Sequence, residues 1–141
     1  IMGGYQVALD RVERGGDFLE CKPRPYAEQL ETVTTADAAT LLKELDGAIR
    51  EQNQDRSCAL VHRYGGLGFE PRGVFDLLLK YAISEDGALH AEKYYRTVSD
   101  EFAHTRSAFR WRQLVALARV TASEYGKPAP GVAQACELLR V

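Results

Sequence analysis

The sequence has no apolar run near the ~20 residues that a membrane-spanning helix needs. Its longest useful apolar block, Val74–Ile83, is broken by Asp76 and Lys80, so no membrane is expected among the partners. An excess of charge of one sign is also missing. Eighteen Lys and Arg stand against 20 Asp and Glu, a formal net charge of −2. The broad positive field of a nucleic-acid-binding domain is therefore absent, and no nucleic acid is expected as a partner. Three cysteines, Cys21, Cys58 and Cys136, are odd in number and widely spaced, which is not a disulfide framework. None belongs to a CxxC pair, which removes zinc ribbons and thioredoxin-type sites. Ile1–Leu19 carries Asp10, Arg11, Glu13 and Arg14 where a secretory peptide would be apolar, so the expected location is cytoplasmic. The chain opens on Ile1 rather than Met, which leaves room for residues, even a domain, before it.

What is present is ordinary globular composition. Hydrophobic residues make up 45% and charged residues 27% of 141 positions, enough for one compact domain with a true core. Period-2 alternation is essentially absent, whereas 3.6-residue periodicity recurs from Thr35 onward. The expected fold is all-α, a compact bundle of about six helices with short loops. Residues 1–34 read as a short helix over Tyr5–Arg14 followed by an irregular segment containing Pro23 and Pro25. Residues 35–141 read as the helical domain.

Within that domain Thr35 suits an N-cap, with Leu41, Leu45, Ala48 and Ile49 as the apolar stripe behind it. Asn53 is expected to end this helix and Asp55 to cap the next, whose stripe is Cys58, Leu60, Val61 and Tyr64. Gly65–Gly66 or Gly68 should stop it, and Pro71 suits the first turn of a third helix. The block Val74–Ile83 is apolar nearly all round, which predicts a central helix. Beyond Gly87, the stripe Ala91, Tyr94, Tyr95, Val98 and Phe102 predicts another helix. Ser107 suits the cap of a last long one, with Trp111, Leu114, Val115, Ala118 and Ala122. Pro130 should open a short C-terminal helix.

The residues with chemical potential are few. Asp86 and His90 stand at i and i+4, hence on one helix face. A carboxylate and an imidazole on an inward stripe need pairing, hydrogen bonds or a metal. Glu85 and Glu92 flank them, and Glu101 with His104 adds one ExxH pair. Diiron and dimanganese bundles use two such pairs, so the set is incomplete for that chemistry. Asp86, His90, Glu85, Glu101 and His104 are thus the candidate ligands for a divalent metal or iron. The alternative is an Asp86–His90 pair that only fixes helix packing. Cys58 and His62, also i and i+4, form a second pair without a visible third member. Arg106, Arg110, Arg112 and Arg119, interleaved with Phe109 and Trp111, form a basic aromatic patch. Its expected role is to pair with the acidic stretch around Glu92, Asp100 and Glu101 and to cover apolar surface with Arg stems. Gly65–Gly68 lacks the Lys-Ser/Thr of a phosphate loop.

Three stretches, Ala59–Tyr64, Gly68–Arg72 and Leu77–His90, together resemble a helical domain of unknown role that occurs beside Rieske-type 2Fe–2S ferredoxin domains in bacterial proteins. The similarity spans about Ala36–Tyr125, and its EDxxxH element is Glu85, Asp86 and His90. The resemblance implies a redox neighbourhood. It does not imply a cluster in this chain, which has no Cys-x-His followed by Cys-x-x-His. The functional expectation is a helical docking or self-association module, its partner a redox protein or a second copy. The alternative is a metal- or ligand-binding enzyme domain built on Asp86 and His90.

Overall fold

Asp37 opens the first long helix, because its carboxylate sits one residue ahead of the helical stripe. Oδ2 accepts from the Thr40 backbone N–H at 2.8 Å, so Asp37, not Thr35, is the cap. Thr35 instead donates its hydroxyl to Glu44 at 2.7 Å. The computed structural model describes residues 22–84, 91–127 and 131–140, with Ala8, Leu9 and Val12 of the N-terminal stretch. The helix expected over Tyr5–Arg14 lies mostly outside the described residues.

From residue 22 onward the described residues form seven helices: α1 (Ala27–Thr32), α2 (Ala38–Arg50), α3 (Gln54–Gly66), α4 (Arg72–Ala82), α5 (Ala91–His104), α6 (Ser107–Glu124) and α7 (Val132–Leu139). Of the described residues 76% are helical, and none lies in a strand. This is the expected all-α bundle. The segment before residue 35 is less irregular than expected, since it contains α1. Leu30 packs on the core and Val33 is buried in it, so apolar side chains tie this stretch to the bundle.

Asn53 does not end α2 but caps α3, accepting from the Arg56 N–H at 3.0 Å. The turn is possible because Gln52 takes a left-handed conformation, φ 54°, between the two helices. Arg56 then bonds Glu44 at 2.7 Å, fastening α3 to α2. At the other end of α3, Gly65 faces the Trp111 indole so closely that a Cβ would collide with it. That close approach brings α6 onto α3, and these two helices share the most extensive packing in the fold.

The expected central helix is therefore displaced. Helix α4 buries Val74, Leu77, Leu78 and Tyr81 but leaves Ile83 73% exposed. Helix α6 takes the centre and packs on α2, α3, α4 and α5. Small residues explain the difference: Ala118 and Ala122 on α6 and Ser57, Cys58 and Ala59 on α3 are all fully or nearly fully buried, and small side chains in a helix interface let the axes approach. A chain of aromatics completes the core, with Trp111 on Phe102 at 5.9 Å and Phe102 on Phe75 at 5.3 Å between ring centroids.

Candidate functional site

The described residues hold one groove of useful size, about 680 Å³, between the Lys22–Pro25 segment, α3 and α6. Its position follows from local sequence. Helix α6 presents Ala108, Arg112, Val115, Ala116 and Arg119 to it, recurring at helical spacing on one face. Cys58 and His62 approach from α3, one turn apart. Pro23 and Pro25 form the third wall, where proline keeps the chain extended.

The groove has apolar surface with a basic frame. Val115, Ala116, Val120 and the prolines supply the apolar part, and Lys22, Arg24, Arg112 and Arg119 the charge. Among the described residues no carboxylate lines it. Arg24 is held by Asp55 at 2.6 Å and lies over the Tyr26 ring at 4.9 Å. Arg112 rests on Phe109 at 5.1 Å. Lys22, Arg112 and Arg119 form no ion pair among the described residues. The pairing expected between the arginines of α6 and the acids of α5 is thus not seen there. The other expected role is seen: Arg110 covers Phe102, its guanidinium 5.3 Å from the ring centre.

Cys58 is fully buried beneath the groove, and its thiol points to the Val115 carbonyl at 3.8 Å. Burial pushes the thiol up to about 11, outweighing the nearby positive charges of Arg24 and Arg119. His62 is exposed. The two residues of the Cys58–His62 pair do reach one groove, but as a protonated thiol below and a solvated ring at the edge.

Of the candidate metal ligands, Glu85, Asp86 and His90 lie outside the described residues. Glu101 and His104 are both exposed on α5. The His104 Nδ1 lies 2.7 Å from the Asp100 carbonyl and donates to it, leaving Nε2 outward. Among the described residues no three His, Cys, Asp or Glu side chains gather closely enough to hold a metal ion.

Sequence reasoning missed two features. The first is the wall Lys22–Pro25, part of the segment expected to be merely irregular, although the alternation of cation and proline there is visible. The second is a polar cluster in which Tyr81 and Arg50 both bond Asp46. No spacing signals it, because Asp46 and Tyr81 are 35 residues apart. Beside it, Tyr81, Leu117 and Tyr125 border a cavity of only about 10 Å³, room for one water at most.

Fold and groove together define an all-α domain with an apolar, cation-framed binding groove. Compared with family models, with curated proteins and with solved structures, the chain matches none of them. No helix among the described residues is long and apolar enough to cross a membrane.

Proposed function

We propose that the chain is a helical docking module that holds a segment of a partner protein in the groove between the Lys22–Pro25 wall, α3 and α6. The observation that carries this reading is the groove itself: about 680 Å³, apolar at its base and framed by four cations, with no carboxylate among the described residues that line it. Binding grooves have this composition, a largely apolar lining with a few placed polar groups. The Cys58 thiol beneath it is buried and stays protonated, which suits holding rather than bond-making. A redox protein is the first partner to try, on the resemblance carried by Ala59–His90.

Ala116 is exposed and borders the groove, so Ala116→Trp fills the groove without disturbing the core. Helical peptides selected from a display library against the whole chain are expected to bind it and to lose the Ala116→Trp variant. Selected peptides that bind both forms equally overturn the docking reading. So does a purified protein that retains stoichiometric metal with a matching absorption spectrum, which returns the metal-site alternative.

A further inference from the structure

The geometry points to an amphipathic helix bearing two carboxylates two turns apart as the occupant of the groove, a reading that rests on the docking function proposed above. Three observations lead there.

The first concerns hydrogen bonding. Two walls of the groove are helices, α3 and α6, whose backbone groups are satisfied internally. In the third wall Pro23 and Pro25 have no N–H to offer. An extended segment would find at most a broken ladder there, with donors only at Lys22 and Arg24, whereas a helix brings its own hydrogen bonds and needs only side-chain contacts.

The second concerns size. Ala108 and Ala116 stand two turns apart on the groove face of α6, and both are exposed. Small side chains at that spacing allow another helix to approach to the usual axial distance of about 8–10 Å.

The third concerns charge. Arg112 and Arg119 are seven residues apart on α6 and both border the groove, which puts them about 10 Å apart along the axis. Neither meets a carboxylate among the described residues. A helix lying along α6 with acids at i and i+7 matches this spacing in either direction. Lys22 on the opposite wall adds positive field without a fixed spacing, while Arg24 is already paired with Asp55.

A single-stranded nucleic acid would also bring negative charge, but it is typically held by stacking its bases on free aromatic faces. Trp111 packs on Tyr64 and Phe102 and against Gly65, and Phe109 is covered by Arg112. Among the described residues no open stacking platform lines the groove.

The chain has a single tryptophan, Trp111, which borders the groove and reports binding by its fluorescence. The probe is a synthetic helix-forming peptide of about 18 residues, five turns, with a leucine face and Glu at positions seven apart. Titrated into the full chain, it is expected to bind about tenfold more tightly than the same peptide with both Glu replaced by Gln. Arg112→Glu and Arg119→Glu should each lose about the same factor, with unchanged circular dichroism because both arginines are exposed. A peptide carrying Lys in place of both Glu should recover binding to the doubly substituted chain. Equal binding of the Glu and Gln peptides, or indifference to both arginine changes, overturns the proposal. So does tighter binding of a short oligodeoxythymidine or of decanoate. If library peptides bind in the groove but lack paired acids, this inference fails while the docking reading stands. If they also ignore Ala116→Trp, both fail.

Discussion

Tyr81 donates its phenolic hydrogen to Asp46 at 2.6 Å, joining the end of α4 to α2. Arg50 bonds the other carboxylate oxygen at 2.9 Å, and its guanidinium lies 6.0 Å from the centre of the Tyr81 ring. Burial pulls the Asp46 carboxyl up, but the bonds from Tyr81 and Arg50 prevail and hold it below its ordinary value. The Tyr81 hydroxyl is pushed up, first by burial and then by Asp46.

Tyr81→Phe is expected to destabilise the fold by about 1–2 kcal/mol at neutral pH, since it removes a hydrogen bond to a half-buried charge. The lowered Asp46 contributes stability above the unfolded value of about 3.9, which is lost as pH falls through the folded one. The raised Tyr81 contributes stability below about pH 10, which is lost as pH rises further. Urea melts of both forms should therefore converge at acid pH and be furthest apart near neutrality. A constant difference across that range would separate Tyr81 from Asp46.

Cys58 should resist alkylation in the native chain at neutral pH and react only when the fold opens, because the thiol is buried and raised to about 11. Peptide mass mapping after iodoacetamide checks this. A raised thiol also contributes stability below its unfolded value of about 8.5, lost as pH climbs toward the folded one. Cys58→Ser should flatten that alkaline limb.

Two glycine substitutions should have opposite signs. Nothing lies within 4 Å of a Cβ built on Gly47 in the middle of α2, so Gly47→Ala is expected to stabilise by about 0.5–1 kcal/mol. Gly65→Ala drives its methyl into the Trp111 indole and is expected to destabilise by about 1–3 kcal/mol. Thermal melts followed by circular dichroism read both.

Adjacent leucines on α4 should also differ. Leu78 is 1% exposed and Leu79 37% exposed. Leu78→Ala is expected to cost about 2–5 kcal/mol, and Leu79→Ala less than half as much. Equal losses would place α4 deeper in the bundle than its packing indicates.

Periodic burial was the legible part of this fold. Leu41, Leu45, Ala48 and Ile49 are all buried, as are Cys58, Leu60, Val61 and Tyr64. Each stripe depends on 3.6-residue spacing, which a sequence displays directly. The order of layers was not legible. Val74–Ile83 has the more apolar run, yet α6 is central because Gly65, Ala118 and Ala122 let it close on α3, a relationship between segments some fifty residues apart. The caps Asp37 and Asn53 each lie two residues from the expected Thr35 and Asp55 for a related reason. Several polar residues stand near each helix start, and geometry selects among them. Of the groove, Arg112 and Arg119 were visible as part of a patch. Their separation from Arg110, which turns to Phe102, follows from rotation about the α6 axis.

The pairing of α3 with α6 carries a consequence for how the chain reaches its native state. Helices α2 and α3 are neighbours in sequence, joined by a turn of a few residues and fastened by Arg56 and Glu44. Closing that hairpin costs little loop entropy, whereas bringing α6 onto α3 must first close a loop of some forty residues. The α2–α3 hairpin should therefore be formed when the rate-limiting barrier is crossed, with α6 locking in later. Core truncations on the two sides would separate in stopped-flow kinetics: Leu45→Ala should mainly slow folding, and Leu114→Ala should mainly speed unfolding.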